Sequence, residues 1–179
     1  MFIDLNAIYD LLESKTETCG FLTENGDVII DSFGTDVNGR GMCSHSRYET
    51  YMWHTHPYSL KSYPSAEDIL YVLKKHVHNK PRISLIFTAW GIWELYALNK
   101  LNIDQNWYTY LYKTAQDAFN GLYHITGRGK DELTTNTLAY LQITLIELTY
   151  NINRKYDFGF QISFVPWNKT EGLYKLRFV

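Results

Sequence analysis

At 179 residues, with 45% hydrophobic and 16% aromatic content, the chain holds enough apolar material to bury the core of one domain, which excludes an intrinsically disordered segment. Seventeen Lys and Arg stand against 19 Asp and Glu, a formal net charge of −2, with the cations scattered along the sequence. That balance excludes the basic footprint of a nucleic-acid-binding protein and the polybasic patch of a membrane-surface protein.

The first residues, Met1-Phe2-Ile3-Asp4-Leu5-Asn6, lack the basic segment and unbroken apolar run of a signal peptide. Ile3, Ile8, Leu11 and Leu12 recur at helical spacing and predict an amphipathic helix over residues 4–14. Cys19-Gly20-Phe21-Leu22 and Asp27 to Phe33 flank Glu24-Asn25-Gly26-Asp27, and the Asn-Gly pair predicts an antiparallel hairpin. Cys19 reads as a small core residue. Together with Cys43 it makes too few cysteines for a disulfide framework, so the expectation is a reducing, cytoplasmic setting.

Residues 34–46, rich in Gly, Asn, Asp and Ser, read as a loop, and a strand from about Tyr48 ends at His54 or His56. Pro57 to Pro64 is a second loop, and Ser65 opens a helix running to about His78. Arg82 to Thr88 and Ile92 to Leu98 are strands joined at Ala89-Trp90-Gly91. Helical patterns follow over about 104–126, with Trp107, Tyr110, Leu111, Ala115, Ala118, Phe119 and Leu122 on one face, and over about 131–154, with Leu138, Leu141, Leu145 and Leu148. The most apolar stretch of the second, Leu138 to Tyr150, is interrupted by Gln142 and Glu147 and is too short to span a bilayer. Phe160 to Val165 and Leu173 to Val179 close the chain as strands. With no repeat or linker, the expected architecture is a single α+β domain over residues 1–179.

Chemistry concentrates at His54-Thr55-His56-Pro57 and Ser65-Ala66-Glu67-Asp68. In an extended strand, side chains at i and i+2 share a face, so His54 and His56 can meet one ion. Asp68 falls in the first helical turn beyond the loop, where it can complete a two-His, one-carboxylate set with an open fourth position, the pattern of a catalytic zinc site. Ser65 and Asp68 alone read as a capping box. His76 and His78 repeat the His-x-His spacing inside a helical pattern, where i and i+2 diverge by about 200°, and they read as favourable cations at a helix C-terminus. His45 reads as an exposed loop residue. A hydrolytic zinc also needs a base, and spacing gives Glu17 no more claim to that role than Glu13, Glu24 or Glu49.

The combination Glu17-x-Cys19-Gly20-Phe21-Leu22, then Trp53-His54-Thr55-His56-Pro57, then Pro64-Ser65-x-x-Asp68 resembles the JAMM (MPN-plus) zinc metalloisopeptidases, over roughly residues 1–98. The loop Pro57 to Pro64 holds one residue more than that family commonly has. The resemblance implies an MPN-like, cytidine-deaminase-like fold, with a mixed central sheet flanked by helices and followed here by a helical pair and closing strands. It implies one Zn2+ per chain held by His54, His56 and Asp68. Glu17 would be general base and acid, and Ser65 would donate to the oxyanion. The implied reaction is hydrolysis of the bond after the C-terminal Gly of ubiquitin or a ubiquitin-like protein, with no covalent enzyme intermediate and no role for Cys19 as nucleophile. Tyr58, Leu60 and Tyr63 are candidates for lining the substrate's approach, against ordinary loop packing. Two other readings stand beside this deubiquitinase-like one: a non-catalytic MPN scaffold subunit, and a hydrolase of a ubiquitin-like precursor tail or a small substrate. The helices over 104–156 match no motif; they complete the core or present a surface for a homodimer or a complex partner.

Overall fold

The computed structural model describes residues 2–33, 51–57, 62–77, 83–98, 106–126, 133–157, 159–167 and 173–175. In chain order the elements are β1 (Phe2–Asp4), α1 (Asn6–Leu12), β2 (Thr18–Leu22), β3 (Val28–Phe33), β4 (Tyr51–Thr55), α2 (Ala66–Val77), β5 (Ile83–Phe87), β6 (Gly91–Ala97), α3 (Trp107–Thr126), α4 (Thr135–Tyr156), β7 (Phe160–Pro166) and β8 (Leu173–Lys175). The architecture is α+β, with a mixed six-stranded sheet ordered β3-β2-β4-β5-β6-β7. Among the described strands only β4 and β5 run parallel, and α2 lies between them in sequence, as parallel neighbours require a crossover. No helix among the described residues is long and apolar enough to cross a membrane.

Strand alternation divides the interior into two cores. Trp53, Leu85, Phe87 and Ile92 pack with Ile8 and Leu12 of α1 on one face. Ile86, Trp93 and Leu95 pack on the other with Ile69 and Leu73 of α2, Leu111, Ala115 and Phe119 of α3, and Leu141, Leu148 and Ile152 of α4. The inner faces of the two long helices thus complete the second core. Because Trp53 belongs to the α1 side, its neighbour His54 must point to the α2 side.

Three departures from the sequence expectations have physical causes. Asp4, expected to open the helix, instead ends a strand over residues 2–4, because these pair with Leu173–Lys175, a partner that local periodicity does not reveal. The helix therefore begins at Asn6, whose N–H is taken by Asp4 Oδ1 at 2.9 Å. The two closing strands part company: β7 extends the main sheet beside β6, while β8 joins β1 in a separate two-stranded sheet. Helix α4 starts at Thr135, where Thr134 caps it by accepting the Thr137 N–H at 3.1 Å.

The hairpin of β2 and β3 closes on Gly26 at φ 94°, a conformation that favours glycine. Its register slips between Cys19 and Gly20, which face Ser32 and Ile30, so Asp31 is the extra residue of a bulge. A Cβ at residue 20 would collide with the Ile29 carbonyl oxygen and lie 2.9 Å from Trp53 Cζ2. Gly20→Ala is accordingly expected to destabilise the fold by about 1–3 kcal/mol, the usual range for overpacking. A shift in denaturant midpoint measures it, and an unchanged midpoint would mean that the bulge relaxes freely.

Candidate metal centre

The C-terminal end of β4 delivers His54 and His56 to the α2 face, both buried. Their Nε2 atoms lie 3.2 Å apart. Asp68, in the first turn of α2, places Oδ1 3.2 Å from His54 Nε2 and Oδ2 3.5 Å from His56 Nε2. Ligands at 2.0–2.1 Å from zinc in a tetrahedron are separated by roughly 3.3 Å, so the three side chains already stand at the mutual spacing of one coordination sphere. Among the described residues, this is the group of His, Cys, Asp and Glu side chains able to hold a metal ion.

The orientation of His56 follows from its other contact. Nδ1 lies 3.1 Å from the Tyr63 carbonyl oxygen, which can only accept. Nδ1–H therefore donates to that carbonyl, and Nε2 is left on the side of His54 and Asp68. This is the arrangement that metal-ligating histidines adopt, with the far ring nitrogen anchored to a carbonyl or carboxylate.

Ser65 and Asp68 fulfil the capping-box expectation and the ligand expectation together. Asp68 Oδ2 accepts from the Ser65 N–H at 2.6 Å and from its hydroxyl at 2.8 Å, while Ser65 Oγ accepts the Asp68 N–H at 3.2 Å. The cap fixes the carboxylate plane and leaves Oδ1 turned to His54. Burial by itself would raise the Asp68 carboxyl, but the two imidazoles beside it outweigh that and hold it well below the usual carboxylate range. In this arrangement the Ser65 hydroxyl is directed at Asp68.

Glu17 reaches the same place from the neighbouring strand. The antiparallel register Cys19↔His54, carried two residues further, sets Glu17 opposite His56 and on its face. Thr55 Oγ1 accepts the Thr18 N–H at 2.9 Å, tying the start of β2 to the end of β4 beside the site. Glu17 Oε1 stands 3.9 Å from His56 Nε2. Burial pushes its pKa above the ordinary glutamate value, with His54 and His56 offsetting part of the rise and Asp68 adding to it. Of the four glutamates that spacing left equivalent, Glu49 lies outside the described residues, and among the other three Glu17 is the one that reaches the His pair.

The remaining candidates fare differently. Tyr58, Leu60, His45 and His78 lie outside the described residues, as does the side chain of His76. Tyr63 takes the packing alternative of its two readings: its side chain is buried and stacked on Phe119 with centroids 5.6 Å apart. Its contribution is the backbone carbonyl, which no side-chain motif encodes. Cys19 is the buried core residue expected, on β2 opposite His54, and it is disulfide-bonded. The sequence reading also missed Trp93, whose indole N–H donates to the Ser62 carbonyl at 3.0 Å just before the Ser65 cap. Comparison with protein-family models, curated proteins and solved structures finds no match for this chain.

Proposed function

We propose that the chain is a zinc-dependent isopeptidase of JAMM type, with an MPN-like fold, acting on conjugates of ubiquitin or a ubiquitin-like protein. The observation that carries this reading is the convergence of His54, His56 and Asp68 at ligand spacing, with Glu17 3.9 Å from His56 on the same wall. Two imidazoles and a carboxylate suit zinc among the divalent metals, and an open position suits catalysis over structure. When bound, zinc supplies a Lewis acid for the scissile carbonyl and lowers the pKa of attacking water towards about 7.

The protein's own groups do the rest. Glu17, with its affinity for a proton raised by burial, accepts one from the attacking water and returns it to the departing lysine amine. Ser65 stabilises the oxyanion by turning its hydroxyl from Asp68 Oδ2 to the substrate, an interaction worth about 3 kcal/mol where single donors have been removed. His54, His56 and Asp68 hold the metal and keep their places because β4, the Tyr63 carbonyl and the α2 cap fix them. A homodimer or complex partner engaging residues 104–156 belongs to the same proposal, since α4 keeps Ile143, Ile146 and Tyr150 exposed.

The Cys19 disulfide favours a second reading. Ubiquitin conjugates belong to the reducing cytoplasm, where structural disulfides are rare. A hydrolase of the same chemistry acting on a precursor tail or smaller substrate elsewhere accommodates the bridge.

The expected result for purified protein is about one zinc per chain by elemental analysis and release of ubiquitin from a diubiquitin panel or a ubiquitin–lysine isopeptide probe. Zinc-loaded protein inert on every ubiquitin-like conjugate moves the assignment to the second reading. Protein that takes up no metal favours the scaffold reading.

A further inference from the structure

Between β4 and α2 the chain must carry Asp68 back to the two histidines, and a short described segment, Ser62–Ser65, makes that return. Its two leading carbonyls are both engaged from the sheet. Ser62 O accepts the Trp93 indole N–H at 3.0 Å, and Tyr63 O accepts the His56 Nδ1–H at 3.1 Å. Ser62, Tyr63 and Trp93 are each about 1% exposed or less, so neither bond competes with solvent. The Tyr63 ring is stacked on Phe119 of α3 at an interplanar angle of 16°, and Phe119 meets Trp93 edge-on, 84° between planes. Trp93 is itself backed by Phe164 of β7, 4.8 Å between centroids.

We infer that Trp93 and Phe119 are positioning residues for the metal, bracketing Ser62–Tyr63 so that His56 presents Nε2 and Asp68 presents Oδ1 at coordination spacing. The inference rests on the metal-centre reading and extends it to side chains that touch neither metal nor substrate. Its physical content is a relay of fixed positions. Trp93 holds the Ser62 carbonyl, which fixes the peptide that aims the Tyr63 carbonyl, which in turn sets the His56 ring rotation. Phe119 blocks the Tyr63 ring from swinging out of the core. Outer contacts of this kind typically alter metal affinity by about 10–100-fold.

The test compares wild type with Trp93→Phe, which keeps an aromatic ring and removes the indole donor, and with Phe119→Leu, which keeps an apolar side chain and removes the stacked ring. Zinc affinity is read by competition with a chromophoric chelator, and the visible absorption of the cobalt-substituted protein reports ligand geometry. Trp93→Phe is expected to weaken zinc by about 10–100-fold and to change the cobalt spectrum, with Phe119→Leu a smaller change in the same direction. Leu148→Ala, in the same core on α4, serves as the control that lowers melting temperature without moving zinc affinity.

Wild type that binds zinc while Trp93→Phe and Phe119→Leu bind it equally well overturns the bracket and leaves the metal centre standing. Equal weakening by Leu148→Ala also overturns it, because the effect is then general softening of the core. Wild type that binds no metal overturns the metal centre itself, and the bracket with it. Should Trp93→Phe fail to fold, Phe119→Leu decides on the same measurements.

Discussion

His54→Ala is expected to lose stoichiometric zinc and, with it, all measurable hydrolysis. His54 is the centre of the ligand set: its Nε2 stands 3.2 Å from both His56 Nε2 and Asp68 Oδ1, whereas His56 and Asp68 are 3.5 Å apart. Removing it leaves one imidazole and one carboxylate, too few to hold zinc against water, so the loss should exceed the roughly 10–100-fold typical of outer-contact changes. Thermal unfolding gives the clearest readout. A metal that binds only the folded state stabilises it by RT ln(1 + [L]/Kd), about 2.7 kcal/mol at a hundredfold excess over Kd. The melting temperature of wild type should therefore climb with added zinc, and that of His54→Ala should stay flat. A variant that keeps one zinc per chain would place the metal elsewhere and remove the proposed centre.

How much of this was legible in the sequence depends on how local each cause is. His54 and His56 were readable because a strand repeats every two residues, and the alternation of β4 is a property of five consecutive residues. The Ser65–Asp68 cap was readable for the same reason, since both its bonds close within three residues. β1 was not readable: three residues carry no usable period, and their partner lies at the other end of the chain. By spacing alone Glu17 stood level with other glutamates; the resemblance singled it out, and the β2–β4 register sets it opposite His56. The bracket was invisible because its two engaged acceptors are main-chain carbonyls, and because Trp93 lies 31 residues beyond Ser62. The loop after His56 is longer by one residue than the resemblance would lead one to expect, and part of it lies outside the described residues; Asp68 meets the two histidines all the same.

Glu17→Gln is the substitution that separates metal binding from chemistry. Glutamine matches glutamate in size, so it should leave β2 in place and Thr18 tied to Thr55. Glu17 is also outside the group that meets the metal, with His54, His56 and Asp68 sufficient to form it. Zinc content, zinc affinity and melting temperature should thus match wild type, while kcat falls by about 10²–10⁴-fold, the range typical of a lost general base. The pH profile adds a second signature. Glu17 must be ionised to accept a proton, so kcat/KM in wild type should fall as pH drops through the pKa of that carboxyl. Burial raises this pKa in the metal-free protein, and the charge of bound zinc acts in the opposite direction, so the signature is the presence of the limb rather than its position. In Glu17→Gln the residual activity should lack that limb. Full turnover in the variant would remove Glu17 from the mechanism. Loss of zinc along with turnover would instead make it a fourth ligand, occupying the position that a catalytic site must keep open for water.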